Sequence, residues 1–275
     1  MQADGSQLKQ VMEEAALVAG RAIMAIHRAG ADVQYKSDHS PVTAADEEAE
    51  RLILTALARH FPAIPVVAEE AVAAGRVPDI SGGIFFLVDP LDGTKEFIAG
   101  RREFTVNIAL IKDGVPVAGI VYAPALSCGF VAEGNRAERF EVDGEAMIVA
   151  RQAIGCRRCA TAPTAVASRS HDTPETARFL DDHGIDACTA IGSSLKFCLV
   201  AEGLADVYPR FGRTMEWDTA AGDAVLRAAG GETRTLDGAP LAYGKTRQAS
   251  DSDFANPNFI AASADWNARP AAITK

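Results

Sequence analysis

Two aspartates stand three residues apart in the stretch Asp89-Pro90-Leu91-Asp92-Gly93, directly after the apolar run at 84–88. A short continuous apolar run is typical of a strand buried on both faces, so both carboxylates are expected at the end of a strand. Pro90 fixes one backbone dihedral and Gly93 permits a tight turn, which lets the two side chains converge. Clustered carboxylates are ligands for hard cations such as Mg²⁺, which often shares a substrate phosphate. The alternative is that both aspartates only hydrogen-bond a loop.

Two further acidic motifs flank this stretch in the chain. Val66-Val67-Ala68-Glu69-Glu70 precedes it, and Glu216-Trp217-Asp218-Thr219-Ala220-Ala221-Gly222 follows it. With residues 88–97, these motifs resemble the D-P-x-D-G-T pattern of the Mg²⁺-dependent, lithium-sensitive phosphatases of the inositol monophosphatase family. The resemblance covers about residues 37–231, and three motifs in order are much more specific than one. It implies a fold of mixed α+β and α/β character, a layered α-β-α-β-α sandwich.

The resemblance also implies a site with two or three Mg²⁺ ions. The implied metal ligands are Glu69, Asp89, the Leu91 carbonyl, Asp92 and Asp218. The implied catalytic residues are Glu69 and Thr94, which would orient and deprotonate the attacking water, assisted by Thr43 and Asp46. Thr43 and Asp46 also have the spacing of a helix capping box, and Asp218 that of a plain N-cap, so these structural interpretations stay open.

Substrate choice is indicated by residues outside the metal motifs. Residues 92–97, Gly192-Ser193-Ser194-Leu195-Lys196-Phe197 and Tyr208-Pro209-Arg210 resemble the bisphosphate nucleotidase branch of the family. Arg210 stands about where the inositol enzymes carry a sugar-binding glutamate, and Arg and Lys suit a second phosphate. The implied substrate-binding residues are Gly93, Thr94, Ser193, Lys196, Arg210 and Asp218.

The expected reaction is therefore conversion of adenosine 3′,5′-bisphosphate to AMP and phosphate, with the 5′-phosphosulfate form as a further substrate. Three alternatives remain open at this point. Lys196 and Arg210 could be ordinary surface charges, the chain could be an inositol or sugar monophosphatase, or it could be a non-catalytic nucleotide- or metal-binding regulator.

Length, composition and charge limit the classes of protein to which the chain can belong. A chain of 275 residues with 48% hydrophobic content can bury a large core, and its net charge of −10 argues against a nucleic-acid polymer as partner. No apolar run approaches about 18 residues, and no basic stretch precedes an apolar one at the start, so neither a membrane span nor a secretion signal is expected. Five irregularly spaced cysteines favour reduced thiols in a cytoplasmic protein. A monomer or homodimer and loose association with the inner membrane surface remain compatible.

Apolar spacing divides the chain into two predicted subdomains. Helical periodicity covers 8–30 and 49–57, a loop is expected at 71–83, and an antiparallel meander at 105–142. From about residue 160, strands and helices alternate. We therefore expect an α+β subdomain at 1–155 with most of the metal ligands, and an α/β subdomain at 156–275 with the substrate-binding residues and the last ligand.

Two weaker motifs carry no predicted site. Cys156 and Cys159 have the spacing of a zinc or redox pair, but no second pair accompanies them. Residues 238–246 end like a phosphate-binding loop, yet five residues separate the glycines where that motif needs four, and Pro240 interrupts it.

Overall fold

The structure is a computed structural model that describes residues 5–30, 33–35, 41–168 and 173–266. Part of the segment resembling the family, 37–40, and the tail after Trp266 lie outside the described residues. The helices are α1 Gly5–Ala29, α2 Ala44–His60, α3 Glu69–Ala73, α4 Thr94–Ile98, α5 Pro174–Asp182, α6 Leu195–Ala201 and α7 Glu216–Ala228. The first strands are β1 Val33–Tyr35, β2 Pro41–Thr43, β3 Val66–Ala68, β4 Ile84–Asp92, β5 Thr105–Lys112, β6 Val115–Ala123, β7 Cys128–Glu133, β8 Arg136–Val142 and β9 Ile148–Ala153. The later strands are β10 Thr164–Ser168, β11 Ala187–Ile191, β12 Val207–Arg210, β13 Thr214–Met215, β14 Gly231–Thr235, β15 Ala255–Asn256 and β16 Phe259–Ser263.

The larger sheet has the order β3-β4-β5-β6-β7-β8-β9, so the predicted meander is confirmed and is extended at both edges. Within this described sheet, only β3 pairs in parallel, with β4. Strand β4 is buried on both faces as predicted: Phe85 and Leu87 enter one core, whereas Phe86 and Val88 enter the other. This follows from the two-residue period of a strand. The pairing of β4 with β5 shifts register between Asp89 and Asp92, and such an irregularity re-aims the side chains at that end.

The smaller sheet has the order β11-β10-β12-β16-β14. Strand β10 pairs in parallel with β11 and β12, while β16 runs antiparallel to both β12 and β14. The predicted alternation of strands and helices is thus observed in the parallel part. The antiparallel part was not anticipated, because the long segment 236–258 separates β14 from β16 in the sequence.

Helices and sheets stack in layers. Helices α1 and α2 cover one face of the larger sheet, and α7 packs on its other face. Helices α6 and α7 also contact the smaller sheet, whose outer side carries α5. The order α-β-α-β-α confirms the predicted layered fold. One hydrophobic core contains residues of both sheets, from Val67 to Phe259, and the division at 155 into two subdomains remains a prediction.

Four details differ from the sequence-based expectations. The expected loop at 71–83 begins inside α3, and α6 ends at Ala201 rather than at Gly203. Strand β9 was missed because most of its residues are exposed, so no alternation marks it. Helix α7 begins at Glu216 with Met215 as its N-cap, so the plain N-cap assignment of Asp218 was wrong. In the described part of the chain, no helix is long and apolar enough to cross a membrane.

Candidate active site

A cleft of about 240 Å³ opens where four helix starts meet, and we call it the central cleft. The β3–α3 junction contributes Glu69, and the β4–α4 turn contributes Asp92 and its neighbours. Helix α6 begins beside them, and α7 contributes Asp218 from the far half of the chain. The predicted site residues that line the cleft are Glu69, Asp92, Gly93, Thr94, Ser193, Lys196, Arg210 and Asp218, whereas Thr43, Asp46, Asp89 and Leu91 lie behind this lining.

The acidic end of the central cleft is an electrostatic cluster. Asp89 is only 1% exposed, and burial, followed by the charges of Glu69, Asp92 and Asp218, raises its pKa well above the ordinary value. Burial and the charges of Asp92 and Glu69 likewise raise the pKa of Asp218 well above its ordinary value. Burial also raises the pKa of Asp92, although the nearby Lys196 opposes that shift. These carboxylates repel one another, and a bound cation would relieve the repulsion.

The donor set fits a hard divalent cation by its chemistry. It consists of carboxylates with the Leu91 carbonyl close by, and oxygen donors of this kind suit Mg²⁺. Among the described residues, no group of three or more His, Cys, Asp or Glu side chains is spaced to hold an ion. The charges of Glu69, Asp92 and Asp218 nevertheless all act on Asp89, and the roles of the four residues as ligands stay a prediction.

Thr43 and Asp46 form the predicted capping box at the start of α2. The Thr43 amide and hydroxyl each donate to Asp46 Oδ2 at 2.7 Å, and the Ala45 amide donates to Thr43 Oγ1 at 3.2 Å. Asp46 Oδ1 lies 3.0 Å from the Thr94 hydroxyl, which is also 3.1 Å from the Leu91 carbonyl. The cap therefore connects directly to the β4–α4 turn, which a purely structural cap need not do.

Ser194 holds Asp92 in place, and the sequence analysis selected its neighbour Ser193 instead. Ser194 Oγ lies 3.0 Å from Asp92 Oδ2 and 2.6 Å from the Asp218 carbonyl, and it accepts a hydrogen bond from Asn107 Nδ2 at 2.8 Å. Ser194 and Asn107 are both buried. The Gly-Ser-Ser motif was a usable signal for Ser194, whereas nothing in the strand pattern around Asn107 marked it.

Glu50 is a second residue that sequence reasoning missed. Its carboxylate accepts a hydrogen bond from the Glu70 amide at 2.8 Å, so it ties α2 to the turn that carries Glu69. Burial raises its pKa, partly opposed by hydrogen bonds from the Glu70 and Ala71 amides. An acid within a helix usually faces solvent, so its position in the sequence carried no signal.

Beside the acidic cluster, the central cleft is lined by two cationic side chains, Lys196 and Arg210, and we call this part its cationic end. Lys196 is 6% exposed and Arg210 is 7% exposed, so the interpretation of both as ordinary surface charges was wrong. Lys196 Nζ donates to the Ser193 carbonyl at 2.6 Å and lies 5.3 Å from the centre of the Tyr208 ring. Burial lowers the pKa of Lys196 to about 8, although the negative charge of Asp92 opposes that shift.

Two polar groups at the cationic end are buried without a hydrogen-bond partner in the described part of the chain, the Ser193 hydroxyl and Arg210 Nε. Ser193 also has a φ of 53°, in the left-handed region that side chains other than glycine rarely adopt. Arg210 Nη2 donates to the Arg213 carbonyl at 3.0 Å, which fixes the guanidinium on one side only. Unpartnered buried donors are costly, so this end of the cleft is suited to an oxygen-rich ligand.

Comparison with known proteins agrees with this geometry. A model of the inositol monophosphatase family matches residues 4–267. The chain belongs to the inositol monophosphatase family. The predicted family is therefore confirmed. Members of this family are metal-dependent phosphatases, so the prediction that the chain is an enzyme is confirmed as well.

Within the family, the chain is similar to a 3′(2′),5′-bisphosphate nucleotidase CysQ from Salmonella typhimurium, with 46% identity over 88% of this chain and 94% of that protein. The structure of a CysQ from Bacteroides thetaiotaomicron superposes with a TM-score of 0.74 at 38% identity, covering 94% of this chain and 97% of the other. An inositol monophosphatase from Anabaena reaches a TM-score of 0.72 at 24% identity, covering 94% and 92%, which shows the shared fold.

Proposed function

We propose that the chain is an Mg²⁺-dependent phosphomonoester hydrolase that removes the 3′-phosphate of adenosine 3′,5′-bisphosphate, giving AMP and phosphate, and that it also accepts the 5′-phosphosulfate form. The observation that carries the proposal is that a single cleft joins the acidic cluster to the buried cations Lys196 and Arg210. A substrate with one phosphate to hydrolyse and another to bind fits these two ends. Similarity to the CysQ nucleotidases supports the same substrate class.

Glu69, Asp89 and the Leu91 carbonyl would hold one Mg²⁺, and Asp89, Asp92 and Asp218 the second. Thr43 and Asp46 would stand near a weaker third ion. When bound, the ions supply charge neutralisation and lower the pKa of water. The raised pKa values of Asp89 and Asp218 support this assignment, because carboxylates that repel one another gain most from a cation between them.

The chain's own groups orient the reacting atoms. Thr94 and Glu69 would together orient the attacking water, and the Glu69 carboxylate would take up its proton. The Asp46 carboxylate and the Leu91 carbonyl hold the Thr94 hydroxyl from two sides, which restricts its rotation. Gly93 has a φ of 93°, and this turn carries the Gly93 and Thr94 amides that would bind the phosphate. Positioning and charge neutralisation are the main means of lowering the barrier to phosphoryl transfer.

The cationic end would bind the second phosphate. A buried ammonium and a guanidinium form charge-assisted hydrogen bonds with phosphate oxygens, and these are stronger than neutral ones. The Ser193 hydroxyl and Arg210 Nε have unused donor capacity at this end. Inositol 1-phosphate has no second phosphate, so it would leave these groups without partners.

The test is phosphate release in Mg²⁺ from adenosine 3′,5′-bisphosphate, inositol 1-phosphate, fructose 1,6-bisphosphate and AMP, each repeated with lithium. We expect strong preference for the bisphosphate nucleotide and inhibition by lithium. Lys196→Glu should selectively abolish nucleotide turnover, whereas Lys112→Glu, at an exposed position on β5, should not. Preference for inositol 1-phosphate would overturn the substrate assignment, and release from none of the four would favour a non-catalytic regulator.

A further inference from the structure

We propose that Glu216 and Lys245 are positioning residues that keep Asp218 in the acidic cluster by fixing the first turn of α7. This inference rests on the proposed function, because it concerns a side chain expected to hold Mg²⁺. No motif pointed to either residue for this purpose. Lys245 belongs to the segment 238–246 that only resembled a phosphate-binding loop.

Glu216 is the first residue of α7 and is fully buried. Its carboxylate accepts hydrogen bonds from the Gly244 amide at 2.6 Å and the Lys245 amide at 2.8 Å, and it forms an ion pair with Lys245 Nζ at 2.7 Å. Its own amide donates to the Phe254 carbonyl at 2.8 Å. Because a buried carboxylate requires partners, these contacts bind the segment 244–254 to the start of the helix.

Lys245 carries the connection further around the same turn. Its ammonium donates to Asn256 Oδ1 at 3.1 Å. The Asn256 amide nitrogen in turn lies 2.9 Å from the Met215 carbonyl and 3.0 Å from the Thr219 hydroxyl. A network of hydrogen bonds therefore joins Met215 and Glu216, which precede Asp218, to Thr219, which follows it.

The position of Asp218 depends on this network. Asp218 Oδ2 accepts a hydrogen bond from the Met215 amide at 2.8 Å, so the backbone before α7 fixes one carboxylate oxygen. The other members of the cluster, Glu69, Asp89 and Asp92, lie on or beside the larger sheet. A small shift of the first turn of α7 would move Asp218 alone, and the spacing of the four carboxylates would change.

Helix α7 also contains a matched control. Asp223 is fully buried two turns further on, paired with Arg227 at 2.9 Å and bonded to the Tyr243 hydroxyl at 3.0 Å. Arg227 Nη2 donates to the Leu241 carbonyl at 2.8 Å. This second pair holds the same neighbouring segment, and the contacts of Arg227 are with Asp223 and the Leu241 carbonyl rather than with Glu216, Lys245 or Asn256. Removing Lys245 or Arg227 leaves a buried carboxylate of α7 without its ion-pair partner. Only Lys245 belongs to the network around Asp218.

The experiment compares Lys245→Met with Arg227→Met in the full-length protein. Both variants should melt at lower temperature than the wild type in the absence of metal, because each leaves a buried carboxylate without its cation. Mg²⁺ affinity, measured by calorimetry without substrate, should fall by about ten-fold or more in Lys245→Met, the range typical when groups that orient metal ligands are removed. In Arg227→Met it should remain within about two-fold of the wild type, since this pair orients no ligand.

Equal Mg²⁺ affinity in the two variants would overturn the inference and leave Lys245 a purely structural role. If Lys245→Met does not fold, Asn256→Ser tests the same network while it keeps the ion pair, and an unchanged affinity there would overturn the inference as well. The calorimetric readout does not require turnover. A protein that binds Mg²⁺ with the expected variant pattern but releases no phosphate would contradict the proposed function and not the positioning role.

Discussion

Replacing Asp89 by asparagine should separate the stability of the protein from its metal binding. Asp89 is buried, and its pKa is raised by burial and by the charges of Glu69, Asp92 and Asp218. A carboxyl whose folded-state pKa is raised stabilises the fold at low pH, and this stabilisation is lost as pH rises through the folded pKa. As pH rises without metal, the burial and neighbouring charges that raise the pKa of Asp89 therefore oppose folding. The asparagine side chain would keep an acceptor for the Leu91 amide, which lies 3.0 Å from Asp89 Oδ1.

The expected magnitudes follow from this arrangement. Mg²⁺ at about 100 times its dissociation constant stabilises a protein by about 2.7 kcal/mol. At roughly 2 °C per kcal/mol for a chain of this size, the wild type should gain about 5 °C in melting temperature. Asp89→Asn should melt above the wild type without metal and gain little from Mg²⁺. Loss of a ligand shared by both ions should lower kcat by about 10³-fold or more, since metal stabilisation of the transition state amounts to several kcal/mol.

Differential scanning fluorimetry with and without Mg²⁺, followed by phosphate release from adenosine 3′,5′-bisphosphate, measures both effects. Asp186→Asn, at an exposed position outside the central cleft, is the control and should behave as the wild type does. Wild-type turnover in Asp89→Asn would refute the assignment of Asp89 as a metal ligand. A lower melting temperature of the metal-free variant would refute the electrostatic argument, because relief of repulsion can only stabilise the metal-free fold.

Three further changes probe other parts of the central cleft. Ser194→Ala leaves buried polar groups around Asp92 without a partner. It should lower the free energy of unfolding by about 1–3 kcal/mol in urea titrations and weaken Mg²⁺ binding. Unchanged values would show that Ser194 does not support Asp92. Gly93→Ala places a Cβ 3.1 Å from the Glu103 carbonyl oxygen, at a residue whose φ is 93°. The free energy of unfolding should therefore fall by about 1–2 kcal/mol in the same urea titrations. A variant as stable as the wild type would contradict this backbone strain. Lys196 has a pKa lowered to about 8 and is charged below that pH, so kcat/KM for the bisphosphate nucleotide should fall as pH rises through 8. Lys196→Arg should keep kcat/KM level to higher pH. The same fall in both proteins would assign the pH dependence to another group.

Local sequence signals predicted the strand and the helix cap that lie beside the acidic cluster. The apolar run before Asp89 predicted a strand buried on both faces, and β4 is such a strand up to the carboxylates at its end. The spacing of Thr43 and Asp46 predicted the capping box, which is present. These predictions succeeded because a buried strand and a helix cap are determined by residues within a few positions of one another.

The surroundings of these residues were decided by tertiary structure. The sequence could not distinguish Lys196 from a surface lysine, and its burial results from the packing of α6 between the two sheets. The choice between Ser193 and Ser194 depended on where Asn107 of the distant strand β5 would lie.

The sequence by itself determined the family, the residue types at the acidic end and the buried strand β4 that carries two of them. Only the fold decided that Asp218 joins Glu69, Asp89 and Asp92, because their mutual distances depend on contacts between segments more than a hundred residues apart. The fold also decided the network that links Glu216 to Lys245 and Asn256, although these residues are closer in the sequence. A buried charge can lie where it does only if such distant partners compensate it, and local sequence patterns contain no information about those partners.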